Sequence, residues 1–190
     1  MTADRFELVT ISGFFRVEEC VALCSVIDRH VRVIPLESGP DDYRTSATAV
    51  LNHLNLAAVS MIQERIARAV GIKPEYCEGL QGQLYREGQY YDLHNDAFWP
   101  RTQEFDRHVP RNGQRTWTAM IYLNRVEKGG ETIFPALGIT VEPRPGLALI
   151  WYNLTLDGEP QRLANHRAAP VIEGRKYVIT AWFRERPYIQ

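Results

Sequence analysis

Gln89-Tyr90-Tyr91-Asp92-Leu93-His94-Asn95-Asp96 is the stretch on which the reading of this chain turns. A β-type run from Gly79 to Tyr85 precedes it, and Glu87-Gly88 lies between the two as a turn signal. In an extended segment, side chains two residues apart share a face, so His94 and Asp96 point to the same side. An imidazole and a carboxylate on one face are two of the three donors in the facial arrangement that binds non-haem Fe(II) and leaves positions open. A His-x-Asp tripeptide also arises often by chance, and alone it is a weak sign of metal.

The same texture continues downstream. Thr116–Leu123, Glu131–Phe134, Ile139–Glu142, Leu147–Leu154 and Lys176–Phe183 are short β-type runs separated by Gly, Pro and Asn. Strands at this spacing predict a sandwich or barrel. Upstream the pattern is mainly helical. Phe6–Phe15 reads as a strand entering a turn at Ser12-Gly13. Val17–Val31 has helical apolar spacing, with Glu18 and Glu19 suited to its N-terminus. Val31–Leu36 reads as a short strand that Pro35 places at an edge or end, and Glu37–Tyr43 as a loop. Ala47–Val70 reads as one or two helices, with an apolar stripe through Leu54, Ala57, Met61, Ile62, Ile66 and Val70 that stops at Gly71. The expectation is one domain over residues 1–190, mostly β. Helical support covers about 1–73, and a β core covers about 79–186.

Composition narrows the function classes. A chain of 190 residues with 45% hydrophobic content holds one full core. The formal net charge of -1 suggests neither a nucleic-acid nor a lipid partner. Arg101, Arg107, Arg111 and Arg115 could form a basic patch, but a solvated loop is the plainer account. No apolar run reaches membrane-spanning length. The three cysteines, Cys20, Cys24 and Cys77, include no CxxC and read as reduced, structural thiols. A soluble, cytoplasmic protein is expected, of open oligomeric state.

Phe98–Arg115 reads as a long connection carrying Pro100, Pro110 and Gly113. Two readings stand for it: a lid or binding loop beside the His94/Asp96 segment, or a variable surface insertion.

His30, His53 and His108 have no partner at ligand spacing and read as ordinary side chains. His166 is the candidate third donor. After it, the period of two places Lys176, Val178, Thr180 and Trp182 on one face, and Tyr177, Ile179, Ala181 and Phe183 on the other. The second face reads as packing. A cation, a hydroxyl and an indole on the first read as the wall of a polar pocket, where a buried lysine needs an anionic partner. The alternative is a surface lysine whose stem snorkels.

These residues bring the chain to a family. It resembles the iron(II)- and 2-oxoglutarate-dependent dioxygenases of the prolyl 4-hydroxylase-like branch from about Arg44 to Glu185. The matching pieces, in order, are Arg44-Thr45-Ser46, Glu64-Arg65-Ile66-Ala67, Leu84–Tyr91 running into His94-Asn95-Asp96, and Arg115–Asn124. Gly129–Pro135, His166–Val171, Gly174-Arg175-Lys176 and Trp182–Glu185 complete them. The resemblance implies a double-stranded β-helix, or jelly-roll, core supported by helices. It implies His94, Asp96 and His166 as the iron ligands. It implies Lys176 as the partner of the distal carboxylate of 2-oxoglutarate, with Tyr85 and Thr132 as hydroxyl groups that help hold it. It also implies Tyr91, Arg115 and Trp182 as residues lining the substrate groove.

The implied activity is hydroxylation of an unactivated C–H bond with Fe(II), 2-oxoglutarate and O2, ascorbate being a possible reductant. Within that resemblance, Asp96 argues against a halogenase, and Lys176 argues weakly against the nucleic-acid demethylases. A peptidyl proline is the first substrate reading. A free amino acid or small natural product is the alternative, and a non-catalytic β-helix that binds metal or ligand is the alternative of another class. The chain departs from the family in His166-Arg167-Ala168-Ala169-Pro170 and in the length of the Phe98–Gln114 segment. Both departures flank the substrate side.

Overall fold

The computed structural model describes residues 6–33, 43–54 and 57–189. Strand β1 (Leu8–Ile11) and helix α1 (Val17–His30) come first, then β2 (Ala47–Val50) and α2 (Ala57–Val70). Next are β3 (Cys77–Tyr85), β4 (Tyr91–His94), α3 (Gln103–Asn112) and β5 (Arg115–Tyr122). The remainder is β: β6 (Lys128–Gly129), β7 (Thr132–Phe134), β8 (Ile139–Val141), β9 (Ala148–Tyr152), β10 (His166–Ala168), β11 (Val171–Glu173) and β12 (Lys176–Arg184). Among the described residues no helix is long and apolar enough to cross a membrane.

A six-stranded sheet runs β1-β9-β5-β12-β3-β2, and a four-stranded sheet runs β4-β10-β7-β8. Strands β11 and β6 form a small ribbon. Every named strand pair is antiparallel. The two large sheets share one apolar cluster, with Met120, Tyr122, Leu149 and Val178 from the first and Phe134 and Ala168 from the second. This is a jelly roll, the fold that the family resemblance implies and a form of the sandwich that the short strands predict.

Strand β12 lies near the middle of the larger sheet, hydrogen-bonded to β3 and β5, and all of its residues are buried. Its β-branched and aromatic residues suit a strand covered on both faces. Tyr177, Ile179, Ala181 and Phe183 pack against the helices, alongside Cys20, Leu23 and Ile27 of α1 and Val59, Ile66 and Ala67 of α2. Ile27, Ile66 and Ile179 are fully buried, each stabilising the fold by roughly 1.5–3 kcal/mol relative to an exposed side chain. Gly82 sets the approach of α1: a Cβ there would lie 2.4 Å from Ile27 Cγ1, so a larger residue would push the helix off β3.

Helix α1 starts where the acidic pair predicts, and Glu19 accepts from the backbone N–H of Arg16 at 2.7 Å. Helix α2 ends at Gly71, whose positive φ of 80° suits a helix stop.

Two expectations are corrected. Ala47–Val50 is not helix but an edge strand, registered Ala47↔Leu84 through Val50↔Gln81. Strand pairing wins there because alternate residues of Ala47–Val50 can lie over α1 while the backbone completes the edge of β3. Residues 98–114 are not an extended connection: they contain α3. Thr102 caps it, its hydroxyl accepting from Phe105 N at 3.2 Å, and Pro110 sits in the last turn. The helix C-terminus is held from outside, by Arg184 Nη2 donating to His108 O at 2.8 Å and Arg186 Nη2 donating to Val109 O at 2.6 Å. Pro110 and Gly113 mark the end of a helix here rather than a loop. Of the upstream expectations, residues 34–36 of the short strand and most of the 37–43 loop lie outside the described residues.

Candidate active site

Strand β4 delivers His94, the turn after it delivers Asp96, and the neighbouring strand β10 delivers His166. Among the described residues these three form one group with metal-ligating atoms, all within 4.8 Å of one another. His94 Nε2 lies 3.8 Å from Asp96 Oδ1, and His166 Nε2 lies 3.9 Å from Asp96 Oδ2.

The opposite ring nitrogens are occupied. His94 Nδ1 bonds the Asp92 carbonyl at 2.8 Å, and His166 Nδ1 bonds the Ala164 carbonyl at 2.9 Å. A carbonyl only accepts, so each Nδ1 carries a proton and Nε2 is the nitrogen that each ring turns towards Asp96. Burial, reinforced by His166, pulls the His94 imidazole down to about 3, so it is neutral at physiological pH. Burial alone would raise the Asp96 carboxyl, but the two imidazoles, Arg115 and the Thr118 hydroxyl outweigh it and hold it below the ordinary carboxylate range. Two imidazoles and one carboxylate, with orientation fixed by neighbouring groups, suit a divalent iron-type ion.

Asp96 is held by a buried chain of side chains that the sequence did not mark. Thr118 Oγ1 donates to Asp96 Oδ2 at 2.7 Å, and Asn153 Nδ2 donates to Thr118 Oγ1 at 2.9 Å. Thr118 and Asn153 are fully buried.

A small cavity opens beside the three donors. Tyr85, Thr132, Lys176 and Thr180 line it together with His94, Asp96 and His166. Lys176 is 1% exposed, and among the described residues no hydrogen bond or ion pair reaches its ammonium. Its Nζ lies 5.0 Å from the Tyr85 ring centre and 5.4 Å from that of Tyr122. Burial pulls Lys176 down to about 7, with Glu131 opposing. A buried amine with aromatic faces around it and no carboxylate bonded to it among the described residues is a seat for an anion. Burial pushes the Tyr85 phenol up to about 12, so it stays protonated and able to donate. The Thr132 hydroxyl is hydrogen-bonded to Tyr122 OH at 2.6 Å.

The cavity meets a larger groove of about 610 Å³, and Tyr91, His94, Asp96 and Trp182 border both. Tyr91 stacks on His94, ring centres 3.6 Å apart and planes within 11°. Arg115 lines the groove but not the small cavity. Its guanidinium is bound to Glu78 through two bonds of 2.7 Å and lies 4.4 Å from the Trp182 ring centre and 4.9 Å from that of Phe98.

Glu78 and Arg184 were not singled out in the sequence. The register places Arg184 directly opposite Arg115, and Arg184 donates to Glu78 at 2.7 Å. Two facing guanidiniums require a shared carboxylate. Burial pushes Glu78 up, but the two arginines outweigh it and keep it ionised. Helix α3 forms a wall of the groove through Glu104 and His108, and His108 stacks on Phe98 at 5.1 Å.

Residues 80–184, more than half of the chain, match the family model described as the 2OG-Fe(II) oxygenase superfamily. A probable prolyl 4-hydroxylase, number 8, of Arabidopsis thaliana is 32% identical over 93% of this chain and 68% of that protein. The prolyl 4-hydroxylase subunit alpha-2 of Gallus gallus is 34% identical over 76% of this chain but only 26% of its own length. Several curated relatives are thus longer than the part this chain spans. The solved viral collagen prolyl hydroxylase of Paramecium bursaria Chlorella virus-1 superposes with a TM-score of 0.74. It covers 93% of this chain and 95% of that one at 24% identity, a likeness of fold.

Proposed function

The chain belongs to the 2OG-Fe(II) oxygenase superfamily, and on that premise we propose that it is an Fe(II)- and 2-oxoglutarate-dependent dioxygenase. Its reaction is hydroxylation of an unactivated C–H bond, and its substrate is a peptidyl proline, as in a prolyl 4-hydroxylase. The observation that carries this reading is the convergence of His94, Asp96, His166 and the buried Lys176 on one cavity.

His94, Asp96 and His166 would hold the metal, and the chemistry it supplies with 2-oxoglutarate and O2 is transfer of one oxygen atom to the substrate and one to succinate, with loss of CO2. The protein's own groups do the rest. Lys176 neutralises the far carboxylate of 2-oxoglutarate by a charge-assisted bond. The Tyr85 and Thr132 hydroxyls face the same cavity and orient that end. Thr118 holds the Asp96 carboxylate in one rotamer. Tyr91 and Trp182 stand where the cavity meets the groove and supply aromatic surface beside the place a pyrrolidine ring would take. Arg115 is fixed by Glu78 rather than free to swing, so it offers a preset guanidinium edge to the groove. The groove of about 610 Å³ has more room than one free amino acid fills, which favours a peptide.

Anaerobic addition of Fe(II) and 2-oxoglutarate should give a weak visible charge-transfer band. Its absence with folded protein would count decisively against the site. Mass spectrometry then separates the substrates: a +16 shift on proline-rich peptides is expected, whereas a shift confined to free amino acids would remove the peptidyl reading. Succinate release no greater than the metal-free background would leave a binding protein without turnover.

A further inference from the structure

Strand β4 ends at His94, and its ladder with β10 is irregular, with His166↔His94 and Ala168↔Tyr91 separated by a register shift. Past His94, strand pairing no longer fixes the chain. Asp96 must nevertheless aim at the same point as imidazoles from two strands. The side chain between the two ligands takes over this task. Asn95 Oδ1 accepts from Ala97 N at 2.9 Å, a turn that brackets Asp96. Asn95 Nδ2 donates to Gln161 O and to Asn165 Oδ1, both at 2.8 Å. Gln161 and Asn165 belong to the segment that leads into His166, and that segment also supplies the Ala164 carbonyl bound to the His166 ring.

The bonds form a closed circuit. Gln161 N donates to Asn153 O at 2.7 Å, Asn153 reaches Thr118, and Thr118 returns to Asp96. Residues 70 apart in sequence, Asn95 and Asn165, are thereby bolted together at the point where the three donors meet.

We propose that Asn95 is a positioning residue that fastens the His94/Asp96 segment to the His166 segment, so that the three donors converge before a metal arrives. The proposal rests on reading the three residues as a metal site. Without the tether, the backbone that carries Asp96 would have to be ordered in part by the metal itself. A bolted one is already ordered, so less of the binding free energy is lost. Groups that orient ligands from outside typically change metal affinity about 10- to 100-fold when removed.

The test is titration of the metal-free full chain with cobalt(II), followed by visible absorption, beside thermal unfolding of each metal-free variant. Asn95→Ala should weaken cobalt(II) binding about 10- to 100-fold and change the intensity of the ligand-field bands. Asn165→Ala removes one of the two acceptors and should weaken binding by less. Asn95→Ser can keep a turn bond to Ala97 but not the tether, and should resemble Asn95→Ala more than the unaltered chain. Unchanged cobalt(II) affinity in Asn95→Ala, with or without a lower melting temperature, would overturn the proposal. Should Asn95→Ala not fold, unchanged affinity in Asn165→Ala would overturn it equally. Failure of the unaltered chain to bind cobalt(II) would overturn the metal site itself, and the proposal with it.

Discussion

The two faces of β12 are built from one strand and one alternation, and they do opposite work. The face against α1 and α2 carries Tyr177, Ile179, Ala181 and Phe183 in an apolar cluster with Ile27 and Ile66. The face against the smaller sheet carries Lys176, Thr180 and Trp182 along a cavity with three metal-type donors. Burial on the first face stabilises the fold. Burial on the second face costs stability, because an amine, imidazoles and a carboxylate are desolvated with few partners. The helix face therefore supports the strained polar chemistry of the site face. Mutations should separate accordingly, into those that change stability and those that change binding.

The largest effect falls on the site face. His94→Ala removes one of three donors and should take turnover to background, on the order of 1000-fold, since several kcal/mol of transition-state stabilisation leave with the metal. The apo melting temperature should not fall, and a large fall would blur the division between the faces. Stopped assays for succinate, run beside calorimetry, check both halves.

Lys176→Met should weaken 2-oxoglutarate binding by about 2–5 kcal/mol, roughly 30-fold or more. The same substitution should raise the melting temperature of the ligand-free protein, because it removes a buried cation that no described residue pairs. A variant that binds 2-oxoglutarate normally, or that melts lower, would show that Lys176 is paired in solution.

The pH dependence follows from the same residue. Its ammonium is lowered from 10.5 to about 7 in the ligand-free protein. A dicarboxylate needs the charged form, so binding above that pH must take up a proton. Affinity should be level below about pH 7 and fall about tenfold per pH unit above it. Glu131 is the one charged neighbour that opposes the shift, and Tyr85 stays neutral through this range. Isothermal titration in two buffers of different ionisation heat measures the proton uptake. A flat profile through pH 9 would contradict it, and Lys176→Arg should flatten it deliberately.

The smallest effect belongs to the helix face. Ile27→Val should cost about 1 kcal/mol of stability, read as a shift of about 2–4 °C in the melting temperature. Metal and 2-oxoglutarate affinities should stay the same. A change in either would mean that α1 communicates with the site through β3, against which Ile27 packs at Gly82.

Much of this arrangement was legible in the sequence. His94, Asp96 and His166 meet, and Lys176, Tyr85 and Thr132 line one cavity with them. Tyr91 and Trp182 stand at its mouth. Other parts were not legible. Helix α3 carries few apolar residues, chiefly Phe105 and Val109, and its C-terminal carbonyls are satisfied by Arg184 and Arg186, residues from the far end of the chain. The resemblance implies Arg115 as a residue lining the substrate groove, and only the register with Arg184 explains why Glu78 binds both. Thr118 resembles any strand threonine until its hydrogen-bond partner is known to be Asp96.

Donor chemistry and strand alternation are local properties, and the sequence by itself determined them. A histidine supplies a nitrogen wherever it lies, and a period of two assigns faces without knowledge of the partner strand. Only the tertiary structure decided which distant groups share a bond. Asn95 is the plainest case: its neighbours His94 and Asp96 mark the site, but its own role depends on Gln161 and Asn165 across the fold. Such contacts are set by register and by the packing of two sheets, and no spacing along one strand encodes either.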